Sequence, residues 1–124
     1  SFSQTFGARH HVPHGLGCAW GLPGVMVYTA KYGERRNLEE VAEAMGVACT
    51  AETGTMELAE TLAQRVVGLM KELQIKSLRE SGFLLEDCLA SAEQFAHDGA
   101  FGNAPGAPSM EEIREYISYT YAAY

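Results

Sequence analysis

The stretch from Leu16 to Tyr28 is apolar on nearly every side, with Leu16, Cys18, Ala19, Trp20, Leu22, Val25 and Met26 leaving no polar stripe to face water. A helix that is hydrophobic all round belongs in the middle of its domain, so this segment predicts a central helix with the rest of the chain packed around it. Gly17 and Gly21 lie one turn apart and would let a neighbouring backbone come close. Pro13 opens the segment as a favoured first residue, because the first helical turn has no use for the missing N–H. Pro23 predicts a kink or break about midway. The stretch falls short of the roughly 18 apolar residues a membrane span requires, and no signal peptide is visible. The expectation is a cytoplasmic protein with no membrane partner.

The remaining segments carry the helical period, and none alternates as a strand does. Leu38, Val41, Ala42 and Met45 define one helix, with Asn37 and Glu40 resembling a capping box, an earlier start through Glu34 to Arg36 as the alternative, and Gly46 placed as its stop. Thr55 is expected to cap a longer helix whose buried stripe is Ala59, Leu62, Ala63, Val66, Met70 and Leu73. Ile75 to Phe83 has no clear period and predicts an irregular connection. Leu85, Cys88, Leu89, Ala92 and Ala96 mark a fourth helix. Gly99 to Pro108, with three Gly and two Pro, must be a loop. Ser109 and Glu112 then form the S-x-x-E box of a final helix with Ile113, Tyr116, Ile117, Thr120, Tyr121 and Tyr124 as its stripe. The fold class is therefore all-α, a compact multi-helix array forming a single domain over 1–124. There is no strand–turn–helix glycine fingerprint, so no cofactor-binding residue for a dinucleotide is assigned.

A net charge of −7 with only nine Lys and Arg argues against a nucleic-acid partner, which would need clustered cations. The closest such run, Lys31 to Arg36, reads as a solvated helix start. Cys18, Cys49 and Cys88 are an odd count without metal-type spacing and read as reduced, small hydrophobes. Glu39, Glu40, Glu43, Glu57 and Glu60 read as solubility charges.

Three of the four histidines fall within Gly7-Ala8-Arg9-His10-His11-Val12-Pro13-His14-Gly15. One reading leaves them at a helix entrance, bonded to backbone or water. The other makes His14 a metal ligand. In the first turn the positive end of the helix dipole disfavours imidazolium, and a metal requires a neutral ring. A local metal site built from His10, His11 and His14 alone is a third reading. His97 reads as a helix C-terminal histidine interacting with the dipole. No grouping suggests a nucleophile, and no catalytic residue is assigned.

The segment from Gly7-Ala8 through Pro13-His14-Gly15 to Leu22-Pro23-Gly24-Val25-Met26 resembles the signature of iron-containing alcohol dehydrogenases. The later segments agree with that family in order: a helix ending Ala44-Met45-Gly46-Val47, a long helix, a loop with Gly102-Asn103 and Pro105, and a last helix from Ser109. That resemblance implies the C-terminal helical domain of an NAD(P)-linked enzyme acting on a small alcohol or aldehyde. Fe²⁺, or Zn²⁺, would be held by one Asp and three His. His14 matches the last of those ligands, and the loop carrying Gly99 and Phe101 matches a stretch near the substrate pocket. Gln4 stands where a second active-site His usually follows a ligand. The preceding ligands would lie upstream of Ser1. The implied partner is an N-terminal dinucleotide-binding domain, and an apolar face normally covered by it would favour homo-oligomers. The chain starts without Met, consistent with a fragment, and unaided it is expected to be inactive. The alternative is a complete, non-catalytic helical interaction or regulatory module descended from that domain.

Overall fold

The computed structural model describes residues 2–99 and 101–124, without the Phe101 side chain. Among them are six α-helices and no strand: α1 (His14–Tyr32), α2 (Arg35–Met45), α3 (Thr55–Glu72), α4 (Leu85–Leu89), α5 (Ala92–His97) and α6 (Met110–Ala123). A π-helical turn, Ser3–Gly7, precedes α1, and a 3₁₀ turn, Phe101–Asn103, lies between α5 and α6. The all-α expectation is met.

The central position expected of α1 is also met. It packs against α3, α6, α2 and the N-terminal turn. Its residues reach every part of the core: Trp20 joins Phe2, Phe6, Phe95, Ile113 and Ile117; Met26 joins Leu38, Leu58 and Leu62; Ala19 lies against Val66, Val67 and Met70. Burying side chains such as Phe6 and Phe95 is worth about 1.5–3 kcal/mol each, so the N-terminal turn contributes to the core as a helix would. Gly17 and Gly21 serve close approach as expected. A Cβ on Gly17 would sit 2.8 Å from Ser3 Cα, and one on Gly21 3.1 Å from Phe2 Cβ.

Of the kink or break expected at Pro23, the break does not occur; the helix runs on to Tyr32. The Pro23 ring is fully buried, and Tyr116 Oη of α6 donates to the Gly21 carbonyl at 3.0 Å just before it. Tertiary packing there outweighs one missing hydrogen bond. Pro13 is the N-cap of α1 instead of its first helical residue.

Helix α2 begins at Arg35, which favours the earlier start over the Asn37 cap, and ends as expected at Gly46 with φ of 67°. The Lys31–Arg36 run is more than a solvated face. The half-buried Arg35 guanidinium holds the loop before α3 by donating to the Thr50 and Thr53 carbonyls at 3.0 and 2.6 Å. Gly54, and not Thr55, is the N-cap of α3, with its N–H bonded to Glu57 Oε2 at 3.4 Å. Glu57 is thus a cap as well as a solubility charge. Leu73 ends the buried stripe early, being 63 % exposed at the helix terminus.

The connection before α4 is irregular, as expected, because side chains satisfy its backbone. Trp20 Nε1 donates to the Lys76 carbonyl at 2.8 Å, Tyr121 Oη to that of Phe83 at 3.0 Å, and Tyr124 Oη to that of Ile75. The single fourth helix expected over Leu85–Ala96 is two short ones, interrupted at Ala90 and Ser91. Phe95 and not Ala96 is buried there. Splitting the segment lets Cys88 and Phe95 both reach the same core cluster. The capping box of α6 forms as read from the sequence: Ser109 N–H donates to Glu112 Oε2 at 2.7 Å, and Glu112 N–H to Ser109 Oγ at 3.3 Å.

Candidate functional site

His14 is the first residue of α1 and is exposed. Its ring is held from behind by Ser3, a buried residue of the N-terminal turn. Ser3 Oγ donates its single proton to the His14 carbonyl at 2.8 Å, and the same oxygen lies 2.9 Å from His14 Nδ1. A hydroxyl has one proton to give, so toward Nδ1 it accepts, and Nδ1 carries the ring proton. This tautomer, assigned by donor counting, leaves Nε2 as the lone-pair nitrogen of the neutral ring. Nε2 faces Cys18 Sγ one turn along α1, 3.5 Å away.

These groups line a cleft of about 350 Å³ between the N-terminal turn, the outer face of α1 and Tyr116 of α6. Gln4 lines it beside His14, and Leu22 and Val25, 40 % and 45 % exposed, form its apolar rim. Burial raises the Tyr116 phenol above its usual range, and its proton is given to the Gly21 carbonyl, so it serves as wall and strut. The structure thus brings His14 and Gln4 to one cleft. Gly99 is exposed at the end of the α5 segment and does not line this cleft. The Phe101 side chain lies outside the described residues.

The local three-histidine site does not form. Among the described residues, no group of three or more His, Cys, Asp or Glu is arranged to hold a metal ion. The His10 ring is packed against Phe6 and Phe83, with centroids at 4.4 and 5.1 Å, and its Nε2 is buried without a partner. His11 takes a left-handed φ of 55° in the turn before α1 and is exposed. His97 ends α5 with Nδ1 bonded to the Glu93 carbonyl at 2.7 Å, the helix-terminal part expected of it. All three thiols are free. Cys88 is the buried hydrophobe the sequence suggests, its thiol pushed up to about 12 by burial, with Asp87 adding to the shift. Cys18 departs from that reading because it is exposed. Sequence reasoning missed Ser3 and Cys18. Nothing in the sequence marks Ser3, whereas Cys18 carries a legible signal in its spacing of four from His14 on one helix face.

Taken together, fold and cleft define a class: an all-helical domain whose central helix starts with an oriented imidazole at the mouth of a cleft. Residues 1–121 match the Fe-containing alcohol dehydrogenase family, C-terminal, and the chain belongs to that family. It is 34% identical over 116 residues to the lactaldehyde reductase of Escherichia coli (strain K12), covering 91% of this chain and 29% of that protein. It is 27% identical over 140 residues to the bifunctional aldehyde-alcohol dehydrogenase AdhE of the same organism, covering 98% of this chain and 16% of that protein. The chain therefore spans less than a third of the length of these curated relatives. No solved structure matches it. No helix of the described residues is long and apolar enough to cross a membrane.

An imidazole nitrogen is a donor type that iron or zinc accepts, and His14 lines the cleft with its Nε2 beside Cys18 Sγ. A zinc or iron site takes about three protein donors, and the described residues do not supply a set of that size.

Proposed function

We propose that this chain is the helical C-terminal domain, over 1–124, of a metal-dependent oxidoreductase that moves hydride between NAD(P) and a small alcohol or aldehyde. In this reading His14 Nε2 is one protein ligand of Fe²⁺ or Zn²⁺, and an N-terminal dinucleotide-binding domain supplies the other ligands and the nucleotide site. The observation that supports it is the hold of Ser3 Oγ on His14 Nδ1 and on the His14 carbonyl, which turns Nε2 toward the cleft with only the Cys18 thiol beside it. The bound metal supplies Lewis acidity toward an alcohol oxygen. Gln4 offers a donor and an acceptor at the same cleft but no titratable proton, so it orients a hydroxyl without relaying its proton. Phe2 and Tyr116 close the inner wall against water. Gly99 and Phe101 belong to a loop assigned to the substrate side of the assembled enzyme. The free thiols suit a reducing cytoplasm.

Alone, the chain lacks the donors and nucleotide site this chemistry requires and is expected to be inactive. Its exposed Leu22 and Val25 rim then favours self-association, and light scattering that shows a strict monomer counts against this part of the reading. The decisive measurement joins the chain to a dinucleotide-binding domain of the same family and follows NAD(P)H formation with a short alcohol and added Fe²⁺ or Zn²⁺. Activity that is lost in His14→Ala is the expected result. Full activity in that variant would remove His14 from the metal site. A folded joined protein that neither binds metal nor turns over would leave a non-catalytic helical module.

A further inference from the structure

The outer face of α3 carries the spacing of a packing helix and is left open. The buried stripe of α3, from Leu58 to Met70, is used up against α1, α2 and α6. On another face Arg65, Gly68, Leu69 and Glu72 stand at positions i, i+3, i+4 and i+7, the spacing by which one helix meets another. With Met45 and Gln64 they line a groove of about 410 Å³, and Leu69 is 49 % exposed there. Gly68 lies inside the helix, where glycine costs helix stability. A Cβ at that position would meet nothing within 4 Å, so the chain itself gives no packing reason for a glycine. Among the described residues, the side chains of Arg65 and Glu72 make no hydrogen bond or ion pair.

The pattern is its own mirror along α3. Arg65 and Glu72 lie equally far in sequence from the midpoint between Gly68 and Leu69, and they carry opposite charges. Consider a twofold axis through that midpoint, with a second α3 running antiparallel. It sets each Arg65 against the partner's Glu72 and each Leu69 against the partner's Gly68. The missing Cβ of Gly68 then admits the leucine, and both charges gain the counter-ion they lack within the chain. We infer that this face joins two copies of the chain as an isologous α3–α3 pair. A partner of another kind would need an acid opposite Arg65, a base opposite Glu72 and an apolar group between them; a second copy supplies all three. Interfaces under about 1,200 Å² belong to transient association, so a single helix pair makes a concentration-dependent dimer. The groove shares no lining residue with the His14 cleft, and the inference does not rest on the reading of that cleft.

The test is sedimentation of the 124-residue chain over a range of concentrations. The parent chain carries Leu22→Ala and Val25→Ala, so that the apolar rim of the cleft does not supply the association. The expected result is a monomer–dimer equilibrium. Arg65→Glu and Glu72→Arg should each weaken it by about tenfold or more, because each brings like charges together at two symmetric points. An equimolar mixture of these two variants should recover the dimer, since one copy then presents two acids and the other two bases. Gly68→Leu should abolish the dimer while raising the urea midpoint of the dilute monomer, because leucine favours the helix and its Cβ meets open space. A parent chain that stays monomeric at every concentration overturns the inference. Charge variants or Gly68→Leu that dimerise like the parent overturn it as well. A mixture of the charge variants that does not recover association rules out the antiparallel twofold pairing.

Discussion

Helix α1 presents two faces of opposite character. One face, Gly17, Trp20, Gly21, Pro23 and Gly24, is buried and pressed against the N-terminal turn and α6. The other, His14, Cys18, Leu22 and Val25, follows the same helical spacing but is exposed along the cleft. On the packed face the residues are chosen by volume: a Cβ at Gly24 would overlap Thr120 Oγ1 and lie 2.6 Å from Tyr116 Cε2. On the open face they are chosen by what their atoms offer, with an imidazole, a thiol and two aliphatic rim residues. The contrast teaches that the stability of this domain and its chemistry sit on the same helix and meet only at Gly17 and Gly21, which pack and also line the cleft, so the other residues of each face can be perturbed alone.

The largest effect is expected at the tightest point. Gly24→Val forces α1 and α6 apart and should destabilise the fold by about 3 kcal/mol, the upper range for overpacking. The readout is a lower urea midpoint at unchanged slope. A variant with the unmutated midpoint would show that the two helices do not meet there. Next, Ser109→Ala removes the hydroxyl that caps α6 and should cost about 1 kcal/mol. This asks whether the partner of the packed face is held by its own end as well as by packing, and a cost near zero would assign its position to its packing against α1, α4 and α5. On the open face, Leu22→Ala and Val25→Ala should change stability by no more than about 0.5 kcal/mol. A loss several times larger would mean that the rim is part of the core and the division between the faces is false.

The packed face was the more legible of the two. Its glycines one turn apart, the Gly46 stop and the Ser109–Glu112 box each follow from local sterics or local hydrogen bonds, which neighbouring residues specify. Gly24 carries the tightest contact and has no local signature, because its partners Tyr116 and Thr120 lie far along the chain. The same long-range packing carried α1 past Pro23, where the local rule predicts a break. It also divided the expected fourth helix so that Cys88 and Phe95 reach one cluster. At the candidate site, His14 was legible from the proline-started helix and the family signature. Its orientation was not, because the residue that fixes it, Ser3, comes from a π-helical turn with no apolar period of its own. The His10–His11–His14 cluster misled for a related reason: sequence proximity ignored the turn at His11, and His10 turns into the aromatic core.

The smallest predicted effect tests the polar end of the packed face. Tyr32, the last residue of α1, donates to Glu112 Oε1 of α6 at 2.7 Å. That bond is the first cause holding the Glu112 carboxyl below its usual 4.5, with the Ser109 N–H second. It is also the first cause raising the Tyr32 phenol from 10.0 to about 12. Glu112 has a folded value below its unfolded one. Its contribution is complete above about 4.5 and is lost as the pH falls through the depressed value. Tyr32 has a folded value above its unfolded one, so its contribution is complete below 10.0 and is lost as the pH rises through about 12. Tyr32→Phe removes the common bond and should flatten both arms of a plot of unfolding midpoint against pH, while Leu22→Ala on the open face leaves its shape unchanged. Both groups are solvated, so the change is small and is read from the shape of the curve. Equal curves for Tyr32→Phe and the unmutated chain would show that the Tyr32–Glu112 bond adds nothing to the hold of α1 on α6.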